Sequence, residues 1–143
     1  MFNLFKKENK NKIENPLVKI AALLIHAAKI DENYSEREKK IIKKTITELN
    51  SQNENTDEII SKAEEIEKKS NQILNFTREV KNLDKNTKIK IIEVLWNIIY
   101  SDNNPDMYEN NLMRRLTGLL YIEPKIVGDI KEKVKNNLIK WHI

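Results

Sequence analysis

The sequence predicts an all-α domain of seven helices, and three observations carry that reading. Apolar residues recur at spacings of three and four along most of the chain, and no segment reads as a credible strand. Helix-capping residues (Ser35, Asn55 or Thr56, Asp106) and prolines suited to a first helical turn (Pro16, Pro124) stand just ahead of those apolar stripes. Only two of the 143 residues are Gly and three are Pro, too few for a turn-rich sandwich or barrel. The length suits one domain with a core large enough to fold alone.

The first helix starts near Pro16 and stops near Asp31, with Leu17, Ile20, Ala21, Leu24, Ala27 and Ala28 on one face. Ser35 to Glu38 is a capping box that opens the second, whose stripe is Ile41, Ile42, Thr45, Ile46 and Leu49. After a polar break (50–55), Asn55 or Thr56 caps a third helix carrying Ile59, Ile60, Ala63 and Ile66. Its remaining face is almost wholly charged, which predicts an outer position in the bundle. Ile73, Leu74, Phe76, Val80 and Leu83 make a shorter, less regular helical segment. A long helix follows from about Asn86, with Ile91, Leu95, Ile98 and Ile99 inward and Trp96 and Tyr100 alongside. Asp106 to Glu109 is a second capping box, ahead of Leu112, Met113, Leu116 and Leu120. The last helix starts near Pro124 and includes Ile126, Val127, Ile130, Val134 and Leu138. The short connections favour antiparallel packing of neighbours.

Composition bounds the function. The chain carries 26 basic and 22 acidic residues, a net charge of +4, which describes a mixed surface and not a nucleic-acid-binding polycation. It has no Cys, which removes disulfides, thiolate metal sites and Cys nucleophiles together. No secretory signal stands out, and the longest apolar stretch, Leu17 to Ile30, is interrupted by Lys19, His26 and Lys29 and is too short to span a bilayer. The expectation is a cytoplasmic helical domain over residues 16–143. Residues 1–15 read as a flexible basic tail, whose Phe2, Leu4 and Phe5 offer the one route to a membrane surface.

Sliding the sequence on itself by 71 residues exposes an internal repeat, with units at about 16–50 and 86–121. Asp31 meets Asp102, Asn33 meets Asn104, Ser35 meets Asp106, Glu38 meets Glu109 and Leu49 meets Leu120. Each half is a helix, an acidic turn and a second helix, which implies one unit used twice about an approximate twofold axis. Asp31 and Asp102 each continue an inward stripe, seven residues after Leu24 and Leu95. Glu38 and Glu109 each precede inward apolar positions by three and four. Every unit therefore aims two carboxylates at the mouth of the core.

An Asp at a helix C-terminus faces the negative end of the macrodipole, so something must offset it. One answer is structural: the turn's free N–H groups bind the Asp and the Glu closes its capping box. The other is a bound Ca²⁺ or another hard divalent cation. Asp31, Asn33, Ser35 and Glu38, and Asp102, Asn104, Asp106 and Glu109, are oxygen ligands at alternating positions, as in the first half of a calcium loop. The Gly and the bidentate Glu that an EF-hand places further along are lacking, so these are not EF-hands.

A helix ending in Ala-x-x-Asp, a turn, and a Glu three residues before an apolar position resemble the tellurite-resistance TerB-like family. Phe76-Thr77-Arg78, Val94 to Asp102 and Tyr108 to Arg115 are similar to the second repeat of its uncharacterised bacterial branch. The resemblance covers roughly Pro16 to Leu138. It implies a seven-helix fold with a pseudo-symmetric pair of acidic turns, acidic coordination of a metal, and a stress or tellurite-resistance setting. Where the family usually has Gly after the turn Asp, this chain has Glu32 and Asn103.

Other residues read more plainly. His26 is a partly buried packing residue, since His142 is its only fellow in the chain. Trp96 and Trp141 pack, the latter as a tail anchor. Lys39, Lys40, Lys43 and Lys44 are a solvated face paired with nearby glutamates. No phosphate loop, activated serine or helix-borne His pair is present, so the expectation is a non-catalytic module. The alternative is an adaptor that docks another protein through a groove between its halves and whose acidic turns are only helix caps.

Overall fold

The computed structural model describes residues 16–30, 34–50, 54–70, 74–100 and 107–141. Among them are seven α-helices and no strand: α1 (Pro16–Ala28), α2 (Glu36–Leu49), α3 (Thr56–Lys69), α4 (Leu74–Val80), α5 (Lys85–Tyr100), α6 (Met107–Leu119) and α7 (Pro124–Trp141). The basic tail at 1–15 lies outside the described residues.

The apolar content of α1 exceeds a single stripe. Val18, Ala22, Leu23 and Ile25 are buried together with the six residues of the expected face. A helix that is apolar nearly all round belongs in the interior, and α1 packs against α2, α3, α4 and α5. Its alanines let α3 approach closely, where Ala63 is fully buried. The second interior helix is α5, which buries Ile91, Ile92, Val94, Leu95, Trp96, Ile98, Ile99 and Tyr100 and contacts α1, α2 and α7. The core is continuous from Leu17 to Val134 and takes in Phe76, Met113 and Leu116 from α4 and α6.

Local chemistry sets the helix ends. Ser35 is extended at φ −77° and closes the expected capping box with Glu38. Asn55 caps α3 through its side-chain oxygen, which accepts the Glu58 N–H at 3.3 Å. The long helix begins at Lys85 because Asp84 caps it, accepting the Thr87 N–H at 3.1 Å and the Thr87 hydroxyl at 2.6 Å. The second expected cap, Asp106, lies outside the described residues. Beyond α6 the Ile122 N–H reaches the Thr117 carbonyl at 3.2 Å and the Tyr121 N–H reaches Gly118 at 3.3 Å. That is a Schellman ending, and its left-handed position, φ 55°, is held by Tyr121 where glycine is the usual occupant. Lys88 ties this end to the rest by donating to the Leu120 carbonyl at 3.0 Å and the Lys81 carbonyl at 3.1 Å.

One expectation needs refining. The third helix does present a charged outer face, but its inner stripe is Ile59, Ala63 and Glu67, while Ile60 and Ile66 are only half-buried. The basic groups beside that buried glutamate are His26 near the end of α1 and Lys29 just past it.

Candidate functional site

Of the eight proposed metal ligands, Ser35, Glu38 and Glu109 are described; Asp31, Asn33, Asp102, Asn104 and Asp106 lie outside the described residues. The two glutamates stand 71 residues apart, at matching positions of the expected repeat, and both are buried, at 2% and 9% exposure. A carboxylate taken out of water is costly unless it is paired or hydrogen-bonded. For Glu38 part of the compensation is the capping box: Oε1 accepts the Ser35 N–H at 2.9 Å and the Ser35 hydroxyl at 3.0 Å, while Ser35 Oγ accepts the Glu38 N–H at 3.2 Å. Each glutamate opens a helix whose next turn is core, Ile42 after Glu38 and Met113 after Glu109.

Around the first turn the fold assembles a polar cluster from three helices. Glu67 of α3 bonds Lys29 just past the end of α1, at 2.8 Å, and lies 3.6 Å from His26 Nδ1. His26 is partly buried, as expected, with its ring 5.8 Å from that of Phe76. Tyr34 is half-buried, with Lys39 4.9 Å and Lys29 5.8 Å from its ring centre. Burial first, and then the charges of Glu64, Glu38, Glu36 and Glu67, push the Tyr34 hydroxyl up to about 12.

Sequence reasoning missed Glu67, Lys29 and Tyr34 as members of this cluster. The signal for Glu67 was its position four residues beyond Ala63 and eight beyond Ile59, on the buried line of α3. In the repeat register, Tyr100 and Asn97 stand where the first half has Lys29 and His26. The second turn thus lacks the counterparts of the two basic side chains near the first. Tyr100 is buried, and burial followed by the Glu132 charge raises its hydroxyl.

Ser35, Glu38 and Glu109 offer hard oxygen donors, the ligand class that Ca²⁺ and Mg²⁺ take. Among the described residues no group of three or more His, Asp or Glu side chains is placed to hold a metal ion. The described helices also include none long and apolar enough to cross a membrane.

The lysine face of α2 is solvated as expected, though one of its partners is an aspartate of α3 and not a glutamate. Lys39, Lys40, Lys43 and Lys44 are exposed, Lys39 lies 3.4 Å from Glu36, and Lys43 lies 3.1 Å from Asp57 of α3. The side chain of Trp141 lies outside the described residues.

A family profile, tellurite resistance protein TerB, matches residues 17–132, which takes in α1 from its second residue, all of α2 to α6 and the first half of α7. The chain belongs to the TerB family. The all-helical architecture agrees with that membership. Comparison with curated proteins and with solved structures returns no match. TerB membership links the chain to a tellurite-resistance-related family.

Proposed function

We propose that this TerB-family protein is a non-catalytic module that takes up Ca²⁺ or another hard divalent cation at its acidic inter-helix turns, in a cytoplasmic stress or tellurite-resistance role. The observation that carries the reading is the burial of Glu38 and Glu109 at one register of the two halves. Two buried carboxylates, each at the edge of an acid-rich turn, concentrate negative charge where a cation offsets it.

The second turn is the stronger candidate. In sequence it holds three acidic residues, Asp102, Asp106 and Glu109, with Asn104, whereas the first holds two, Asp31 and Glu38, with Asn33 and Ser35. Lys29 already supplies positive charge beside the first turn, through its ion pair with Glu67. The Ser35–Glu38 capping box favours the second reading, an adaptor with purely structural caps, for the first turn alone.

Thermal melting in Ca²⁺, Mg²⁺, Mn²⁺ or EDTA tests the proposal. A ligand at 100 times its Kd stabilises the fold by about 2.7 kcal/mol. The wild type is expected to melt several degrees higher with metal, and Asp102→Asn and Glu109→Gln to lose the rise. Gln still serves a capping box, so Glu109→Gln removes charge without removing the cap. No shift at millimolar metal in the wild type overturns the reading.

A further inference from the structure

Both glycines of the chain lie where no turn needs them. Gly118 is in α6 and Gly128 in α7; neither has a positive φ, and a Cβ at either position would meet nothing within 4 Å. Glycine within a helix costs about 0.8–1.0 kcal/mol relative to alanine. The position that does call for glycine, the left-handed residue after α6, holds Tyr121 instead. The two glycines share one feature: both line the same open groove between α6 and α7, of about 680 Å³. Their missing side chains keep its walls bare. Positions that defy local propensity without a structural reason are where function is expected.

Two further observations say what the groove takes. Trp96 of α5 lines it; the residue is 3% exposed, and its indole N–H is buried without a hydrogen-bond acceptor among the described residues. A buried donor left unpaired is costly, and a ligand that delivers an oxygen relieves it. Among the described lining residues the charged ones are Arg114 and Lys131, and none is acidic. Lys131 Nζ stands 5.1 Å from the Trp96 ring centre and 3.4 Å from Asn110 Oδ1. Tyr121, 73% exposed, offers an aromatic surface at the rim.

We propose that this groove docks an acidic peptide segment of a partner protein, with Arg114 and Lys131 receiving its carboxylates and an apolar side chain lying between Gly118 and Gly128. The volume falls in the range of ligand sites, and the open face admits a chain that continues in both directions. Two cations over the apolar side chains of Met113 and Val127 do not make the continuous basic track that nucleic acid or an anionic bilayer requires. The protein's own first residues have the wrong sign, carrying Lys6, Lys7, Lys10 and Lys12. The inference does not depend on cation binding at the acidic turns.

The test is selection of a phage-displayed random peptide library on the full chain, followed by titration of the enriched peptides by fluorescence anisotropy. Enriched sequences are expected to combine Asp or Glu with an apolar anchor. Arg114→Glu with Lys131→Glu, both melting as wild type does, should weaken binding about tenfold or more. Gly128→Gln, which fills the groove while raising helix propensity, should abolish it. In an ¹⁵N-correlated NMR spectrum, the two glycine amides and one of the two indole signals should move together on peptide addition. Enrichment of peptides without acidic residues, no enrichment at all, or affinities indifferent to the charge reversals would overturn the proposal. So would retention on phosphatidylserine vesicles, lost in the same variants, without peptide binding.

Discussion

Replacing Glu67 tests how the fold supports its first acidic turn. Glu67 Oε1 and Lys29 Nζ are 2.8 Å apart, with the glutamate side chain only 10% exposed. At an effective dielectric of about 20, that separation gives roughly 6 kcal/mol of gross attraction. Desolvating both groups consumes most of it, leaving about 1.5–3 kcal/mol, typical of a hydrogen bond between charged partners. Glu67→Gln keeps the shape and loses the charge, so it should destabilise the protein by about 2 kcal/mol, a fall of roughly 1 M in the urea midpoint. Glu67→Leu combined with Lys29→Met replaces both partners by apolar groups and should cost less, within about 1 kcal/mol of wild type. A double-mutant cycle with Lys29→Met isolates the pair and should return about 1–2 kcal/mol of coupling. Urea unfolding followed by circular dichroism measures all of these. A Glu67→Gln cost below about 0.5 kcal/mol, or coupling near zero, would refute the view that this pair stabilises the fold.

Three further outcomes follow from the geometry. Gly128→Ala should stabilise the fold by about 1 kcal/mol, since a Cβ there meets open space, and thermal melting reads the gain directly. Tyr121→Gly relieves a left-handed tyrosine at roughly 1–2 kcal/mol and adds chain entropy at about 0.5–1, so a small net gain in melting temperature is expected. Tyr34 keeps its proton to about 12 in the fold, whereas an unfolded tyrosine releases it near 10. Its contribution is therefore complete below pH 10 and is lost as pH rises from about 10 to 12. Half-exposure reduces that loss to on the order of 1 kcal/mol, and Tyr34→Phe should show a flatter alkaline stability profile.

Much of the architecture was legible because helix signals are local. Pro16, Ser35, Asn55 and Pro124 mark helix starts through chemistry contained within one turn, and the structure starts helices there. The cap at Asp84 was overlooked because Thr87 completes it in place of the Glu or Gln of a capping box. Tertiary pairing was harder to read. Glu67 resembles any exposed helix glutamate until α1 places Lys29 and His26 against it. The burial of Glu38 and Glu109 was legible, because each precedes a core stripe by helical spacing. The groove was not, since it depends on which faces of α6 and α7 meet over Trp96.

The most direct test of cation uptake is calorimetric titration of the metal-free protein with Ca²⁺, beside Asp102→Asn and Asp31→Asn. Saturable binding is expected in the wild type, with the second turn as the tighter site, so that Asp102→Asn removes the tight component and Asp31→Asn largely preserves it. No heat of binding at millimolar Ca²⁺, or binding that survives both substitutions together, would contradict cation uptake at these turns.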